Sequence, residues 1–289
     1  METIVPSLPG SPLSSLALEN TVIALLFASL LPPLASVGFP QDTLKEDIAA
    51  YKKAVAARHR EADVIAFIDG FVQVFQSGKV RLVEIADALE IEEGNASDLK
   101  KERTLIERQQ GLLAKTVWKA FSRKNQTEKN QQIWTAAIYA FGQMGSFGPT
   151  YIWKAFEDKR FREDRDFQSL CVEQIGFTKD YTQAEELIDL LDYKHAVIAA
   201  KAADSLGQFR EASVAVRKEC VKKLVKLLES YRTTGVNDSD SPLDKINYRT
   251  IRGPFISALK GLTGQSISNS LDWTKWWNNN KNNSKVWKK

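Results

Sequence analysis

The strongest chemical pattern in the sequence is a cluster of tryptophans and lysines near its C-terminal end. Trp273, Trp276 and Trp277 stand at positions i, i+3 and i+4, a spacing that places three side chains on one face of a helix. Lys275 lies among them, and Asp272 is the one acidic residue after position 244. Aromatic rings beside cations can stack on bases or sugars. The same face can instead cover the end of a helical domain, and we favour this interpretation because a preceding helix carries leucines at the same spacing.

A second group of candidate contact residues is a set of arginines in a charged segment. The residues best suited to contact a partner are exposed polar and aromatic positions along one row of helices. Arg160, Arg162 and Arg165 are the positions that we single out on this basis, together with the tryptophan cluster and Lys275.

Residues for catalysis are scarce. The two histidines, His59 and His195, each stand alone, and no HxxxH, CxxC or GxSxG spacing occurs. The acidic segment 236–240 lacks the glycine and the glutamate that a calcium loop needs, and the glycines at 142–148 follow no strand. We therefore predict a non-enzymatic protein with no catalytic residue, no metal site and no cofactor.

Residues 131–230 contain a repeat that indicates the fold. Met144-Gly145, Ile175-Gly176 and Leu206-Gly207 each close a run of apolar residues at helical spacing, and each pair lies 31 residues after the previous one. A glycine after such a run is typical of the left-handed residue that ends a helix. A second amphipathic run follows each glycine, so the unit is helix, glycine turn, helix. This period favours an all-α solenoid, in which each unit buries its apolar face against its neighbours, over an ordinary helical bundle.

Two of the predicted first helices share a motif. It reads Ala-Ala-x-x-Ala-Phe-x-x-Met-Gly at 136–145 and Ala-Lys-Ala-Ala-Asp-Ser-Leu-Gly at 200–207, and the first helix of a weaker fourth unit is followed by Gly264. These residues resemble the HEAT-repeat (armadillo-like) superfamily, and the C-terminal tryptophans are similar to the Trp-rich cap of exported bacterial HEAT-repeat proteins. The resemblance implies a right-handed α-solenoid of HEAT-like helix pairs with a helical N-terminal cap. Its motifs are degenerate, so it carries over no catalytic residue.

Composition divides the chain into four segments. They are an apolar N-terminal segment (1–41), a helical N-terminal cap region (42–126), the HEAT-like repeats (127–281) and a basic tail rich in Asn and Lys (282–289). Within the cap region we expect a helix to end at Ser77-Gly78, and within the repeats we expect an exposed loop over 231–243.

The N-terminal segment predicts export. Residues 22–31 are strongly apolar, two prolines follow, and residues 35–38 are small, as in the cleavage region of a signal peptide. The positive charge typical of the start of a signal peptide is missing, so an uncleaved anchor and a soluble apolar arm stay open as alternatives. We expect an exported protein (periplasmic or secreted), with a cytoplasmic location as the alternative. No stable membrane span is expected beyond such an anchor.

The overall composition is typical of a folded protein. Apolar residues make up 43% and charged residues 26%, and the net charge of +4 permits contact with anionic polymers without requiring it. Cys171 and Cys220 fall at core positions of different predicted helices. We therefore expect two buried thiols rather than a disulfide.

These observations favour a non-enzymatic HEAT-like scaffold that binds an unidentified protein partner through its curved surface. The first alternative is a nucleic-acid-binding protein similar to the HEAT-like DNA glycosylases, which need a basic concave surface and a cytoplasmic location. The second alternative, from fold analogy alone, is a chaperone- or lyase-type helper of a pigment protein.

Overall fold

The computed structural model of the chain describes residues 41–57, 60–91, 96–237 and 241–287. Nearly all of these residues are helical and none is in a β-strand, which confirms the all-α prediction. The apolar segment of residues 1–40, to which the export prediction refers, and His59 lie outside the described residues.

Twelve α-helices follow one another in this part of the chain. They are α1 (Gln41–Ala56), α2 (Glu61–Glu90), α3 (Ala96–Val117), α4 (Glu128–Gln143), α5 (Pro149–Phe156), α6 (Arg165–Thr178), α7 (Ala184–Leu190), α8 (Ala196–Gly207), α9 (Val214–Arg232), α10 (Pro242–Thr263), α11 (Ser270–Asn280) and α12 (Ser284–Trp287). A 3-10 turn at Trp118–Ser122 follows α3, and a π-helical turn at Thr233–Asn237 follows α9. None of the described helices is long and apolar enough to cross a membrane.

Side-chain caps fix where several of these helices begin. The hydroxyls of Thr127, Ser213 and Ser241 accept hydrogen bonds from backbone N–H groups in the first turns of α4, α9 and α10. Such a cap satisfies a donor that the helix itself leaves unpaired. The polar residues between the apolar runs therefore define the ends of the helices.

The chain forms two compact units, Met1–Glu46 and Asp47–Lys289. All helices from α2 onward belong to the second unit. The expected boundary at 126/127 lies inside this unit, in the loop between the turn at Trp118–Ser122 and α4. The division into a cap region and repeats stays a prediction.

Within the second unit the helices contact one another in an alternating order. Among α2, α4, α6, α8 and α10, each helix contacts the next one along this even-numbered series. The odd-numbered helices pack against them: α5 on α4 and α6, α7 on α8, and α9 on α10. The last long helix, α11, packs on α9. The first and second helices of the four predicted units are therefore present, in order, as α4 to α11.

The apolar stripes of the repeat form the core of this unit. Phe141, Val172 and Ala203 stand 31 residues apart in the sequence, and all three are fully buried. Cys171 and Cys220 are also buried and unpaired, as predicted. Burial raises the pKa of the Cys220 thiol to about 12 and raises that of Cys171 as well, so both thiols stay protonated at neutral pH.

Two glycines of the repeat, Gly176 and Gly207, do not occupy the predicted left-handed position after a helix. Gly145 does follow α4 in the left-handed conformation, with φ of 53°. Gly176 instead lies inside α6, whose left-handed end residue is Lys179, and Gly207 is the last residue of α8. A Cβ atom at Gly176 would lie 2.8 Å from the Cα of Ser205, and one at Gly207 would lie 3.0 Å from a Cα atom of α10. These two glycines permit close contact between neighbouring even-numbered helices.

Two further expectations about helix ends are wrong. Helix α2 continues through Gly78, which is buried against Ile106 of α3, so the glycine serves helix packing and not termination. The segment expected to be a loop over 231–243 is helical as far as residue 237, because α9 and its π-helical turn extend into it. Its three residues 238–240 lie outside the described part of the chain.

Candidate functional site

A groove lies on the surface formed by α2, α4 and α6. Its volume is about 460 Å³, and all three helices contribute residues to its lining. Tyr139 of α4 and Phe177 of α6 both line it, and these side chains are 48% and 54% exposed. Aromatic side chains bury much of their surface in most folded proteins. Two half-exposed rings in one groove therefore mark a surface suited to binding another molecule.

The positions of the two rings follow from the helices that carry them. Tyr139 stands between the buried residues Ile138 and Ala140, and Phe177 stands between the buried residues Gly176 and Thr178. Each ring thus belongs to an exposed residue whose two neighbours in the chain are buried. The backbone that holds both rings is fixed by its buried neighbours, which reduces the entropy lost when a ligand binds.

Buried polar and small residues form the floor of the groove. Gly142 of α4 has no side chain, and this allows the amide group of Gln174 from α6 to lie directly against it. The Thr178 hydroxyl donates a hydrogen bond of 2.7 Å to the carbonyl of Ile175. On the opposite side, the Gln76 side chain of α2 donates a 2.8 Å hydrogen bond to the carbonyl of Gln143. The three helices are therefore linked around the groove.

The charge of the groove is positive. Lys79 of α2 and Lys179 at the end of α6 line it and are exposed, whereas no acidic residue is found among its described lining. Glu173 of α6 does not line the groove and forms a 2.8 Å ion pair with Lys201 of α8, which raises the pKa of that lysine. The groove thus offers aromatic rings and two exposed lysines, neither of which is in an ion pair with a described residue.

The predicted tryptophan cluster is packed at the end of the second unit. Trp273 is fully buried, and its ring centroid lies 5.6 Å from that of Trp276. Trp276 and Trp277 both contact Trp287, with ring centroids 5.8 and 6.1 Å away. Trp287 lies in the segment expected to be a basic tail, yet its side chain is buried. This packing agrees with the interpretation of the cluster as a cover over the last helices.

Hydrogen bonds fix the same end of the unit. The buried Arg217 of α9 donates to the backbone carbonyls of Leu262 (3.3 Å) and Trp287 (2.8 Å). Lys218 lies 5.5 Å above the Trp287 ring, whereas Lys275 is exposed and lies 3.7 Å from Asp272. Unlike the three tryptophans of the predicted cluster, Lys275 carries a charge, and its side chain is exposed to solvent.

The three predicted arginines have different surroundings. Arg160 packs over the ring of Trp134 at 4.9 Å and forms hydrogen bonds to both carboxylate oxygens of Asp158. Arg165 donates to Gln168 (2.9 Å), whereas the Arg162 side chain is exposed. The structure therefore does not bring these arginines together with the tryptophan cluster, and it engages Arg160 in packing.

His195 lies just before α8, with its ring 5.9 Å from that of Tyr193. Burial, and secondly the charge of Arg165, lower the pKa of this histidine, so it is neutral at pH 7. In the described ranges no group of three His, Cys, Asp or Glu residues is placed to hold a metal ion.

The groove between α2, α4 and α6 was missed in the sequence. Gly176 was interpreted as the end of a helix, which placed Phe177 in a turn and separated it from Tyr139. A signal was nevertheless present, because each aromatic residue adjoins the apolar stripe of its helix without belonging to it. To predict that Tyr139 and Phe177 both point outward from helices, one must know that α6 extends beyond Gly176.

No protein-family model, curated protein or solved structure matches this chain.

Proposed function

We propose that this protein is a HEAT-like helical-repeat scaffold that binds a partner protein through the groove between α2, α4 and α6. The observation that carries the proposal is the pair of half-exposed rings, Tyr139 and Phe177, in one groove. Tyrosine and other large aromatic residues contribute a disproportionate share of binding energy at protein interfaces.

The order of helix contacts supports the scaffold part of the proposal. Each even-numbered helix from α2 to α8 contacts the next, and each odd-numbered helix from α5 to α9 packs on an even-numbered one. Stacked helix pairs of this kind form a right-handed solenoid in HEAT-like proteins, and a solenoid presents an extended surface without needing a catalytic group.

The chemistry of the groove defines the partner. Lys79 and Lys179 favour an acidic segment, and the rings of Tyr139 and Phe177 favour an apolar or aromatic side chain. The partner is thus a protein segment with an apolar anchor residue flanked by Asp or Glu. Lysines at the edge of an interface mainly increase the rate of association, whereas buried aromatic anchors slow dissociation.

The proposal is tested by photo-crosslinking followed by binding measurements. A benzophenone amino acid placed at position 177 in the native host should give a crosslinked product with one dominant protein. With that partner purified, Tyr139→Ala and Phe177→Ala should each weaken binding about 10-fold or more. Lys79→Gln should mainly reduce the rate of association and its dependence on salt.

The matched control is Leu105 of α3, which is 49% exposed and does not line the groove. A benzophenone at position 105 should give no such product, and Leu105→Ala should leave the affinity unchanged. The proposal is wrong if the same partner crosslinks equally from position 105, or if the double variant of Tyr139 and Phe177 binds as tightly as the wild type.

A further inference from the structure

A second cleft lies beside the N-terminal half of α10. Its volume is about 630 Å³, within the range typical of sites for small molecules. Lys245, Arg249 and Arg252 line one side of it. These positions are separated by four and three residues, so the three side chains lie along one face of the helix with neighbouring Cβ atoms about 5–6 Å apart.

The three cations of this cleft have no partners in the described structure. The side chains of Lys245, Arg249 and Arg252 form no hydrogen bond or ion pair with any described residue, and no acidic residue is among the described lining. Some other helical cations of the described surface are paired with an acidic residue, as Arg103 is with Glu107 and Arg232 with Glu229. Like charges at such spacing repel one another, so a bound anion would relieve an unfavourable arrangement.

The net positive charge of the C-terminal segment adds to the attraction of the cleft for anions. Residues 245–289 contain nine Lys or Arg and one acidic residue, a net charge of +8, whereas the whole chain carries +4. Residues 1–244 therefore carry a net charge of −4. Six of the eight described lining residues of the cleft belong to this positively charged segment, and the positive charge raises the local concentration of anions.

Apolar and aromatic groups complete the cleft. Tyr248 lines it while its hydroxyl is held 3.2 Å from the hydroxyl of Ser270, so the ring is fixed in place. Val236 and Ile256 also contribute to the lining. A ligand here meets cations on one side and apolar surface on another, a combination that suits a phosphorylated organic molecule.

We propose that this cleft binds a ligand with two adjacent phosphate groups, held by Arg249 and Arg252 with Lys245 as a third charge. The guanidinium group matches the geometry of phosphate oxygens and can donate two parallel hydrogen bonds to one phosphate. Two such groups one helical turn apart suit a diphosphate. Lysine adds a mobile charge that is less dependent on orientation.

The arrangement favours a compact ligand over a nucleic-acid strand. A strand needs a track of cations that follows its successive phosphates. Two other lysines of the segment are engaged elsewhere, since Lys260 donates to Ser268 (3.2 Å) and Lys275 lies beside Asp272. Lys245, Arg249 and Arg252, which have no partner among the described residues, line a single cleft instead.

The test uses the full chain and titration calorimetry with inorganic pyrophosphate at low salt. Wild-type protein should bind one pyrophosphate per chain. Arg249→Gln and Arg252→Gln should each weaken that binding about 10-fold, because each removes a hydrogen bond to a charged group. Both residues are exposed and have no partner in the described part of the chain, so the variants should fold like the wild type, which circular dichroism checks.

A matched control removes an equal charge elsewhere. Lys222 of α9 is exposed, pairs with Glu219 and does not line the cleft, so Lys222→Gln should leave the affinity for pyrophosphate unchanged. Vesicles of phosphatidylcholine containing phosphatidylinositol bisphosphate identify the source of the phosphates. Binding to them that pyrophosphate displaces assigns the cleft to a lipid headgroup, whereas pyrophosphate binding without vesicle binding assigns it to a free ligand.

Two results would overturn the proposal. One is the absence of pyrophosphate binding by folded wild-type protein. The other result has two parts. A single-stranded RNA oligonucleotide binds tightly, pyrophosphate does not displace it, and neither Arg249→Gln nor Arg252→Gln weakens its binding. In addition, these two variants bind pyrophosphate with the same affinity as Lys222→Gln.

Discussion

The guanidinium group of Arg160 connects three parts of the chain. It lies over the ring of Trp134, it is paired with Asp158 at 2.7 Å, and it donates to the carbonyl of Arg123 at 2.6 Å. Both partners of the ion pair are largely shielded from water, with exposed side-chain fractions of 21% and 23%. A shielded pair with several hydrogen bonds contributes more to stability than a surface pair, and removing one partner leaves the other uncompensated.

Asp158→Asn should therefore destabilise the protein by about 1–3 kcal/mol at pH 7. The hydrogen bond from Arg160 lowers the pKa of the Asp158 carboxyl, so the folded state favours the ionised form. This contribution is present above the pKa of an unfolded aspartate, about 3.9, and is lost as pH falls through the lowered folded value. Urea unfolding should show the difference between variant and wild type at pH 7, and the difference should shrink steadily below pH 4.

Glu219→Gln provides the control for this prediction. Glu219 is paired with Lys222 in an arrangement where both side chains are more than half exposed, and its loss should change stability by less than about 0.5 kcal/mol. A difference between Asp158→Asn and wild type that is equally large at pH 7 and at low pH would show that packing, and not the ionised carboxylate, is responsible.

The sequence alone predicts whether a residue is buried better than it predicts which side chains that residue contacts. Cys171 and Cys220 were predicted to be buried because they fall on apolar stripes, and they are. Arg160 was selected as an exposed contact because it is an arginine in a charged segment, yet its place above Trp134 depends on the distance between two helices. Periodicity reports which face of one helix is apolar, and it does not report what the neighbouring helix places there.

At the scale of the helices, glycine has two different roles in this chain. Gly145 and Gly264 adopt positive φ values after α4 and α10, as residues that end a helix do. Gly176 and Gly207 allow close contact between helices. A buried hydrogen bond of 2.8 Å from Ser205 to the carbonyl of Val172 joins α6 and α8 at the same contact. The distance between successive even-numbered helices is thus set by small residues.

Gly176→Ala should destabilise the protein by about 1–3 kcal/mol, because the added methyl group meets the backbone of Ser205 and the helices must separate. Gly70→Ala is the matched control. Gly70 also lies inside a helix, α2, but a Cβ atom there has no neighbour within 4 Å. That variant should stabilise the protein by about 0.5–1 kcal/mol through helix propensity. Denaturant unfolding compares the two, and an equal stabilisation of both would disprove the close contact.

The ends of helices were the least predictable elements. The spacing of 31 residues predicts the position of each first helix. The prediction treats every glycine as a helix end, although some glycines instead permit close helix packing. It therefore ends α6 too early and ends a helix at Gly78 inside α2. The choice between the two roles depends on what lies opposite the glycine, which a single sequence does not show. The candidate groove could not be predicted for this reason, because Phe177 belongs to α6 only if that helix continues past Gly176.

At the scale of the whole second unit, the contacts between helices join neighbours in sequence. The C-terminal end of this unit is covered by Trp273, Trp276, Trp277 and Trp287. The Arg217 side chain donates a hydrogen bond to the backbone carbonyl of Trp287. In a stacked arrangement, an end needs such a cover because the last helix pair has a neighbour on one side only. An arrangement of this type opens from its ends, whereas a single shared core opens as a whole.

Trp287→Ala distinguishes these two modes of opening. Trp287 is fully covered and donates a 2.9 Å hydrogen bond to the carbonyl of Asn280, so its loss should cost about 3–5 kcal/mol locally. If the helices are stacked, hydrogen exchange should accelerate in α9, α11 and α12 and stay unchanged in α4 and α6, which pack on other helices. Leu271→Ala, at an exposed position of α11, should change neither region. Equal acceleration from α4 to α12 would instead show one cooperative core, and the solenoid part of the proposed function would then be wrong.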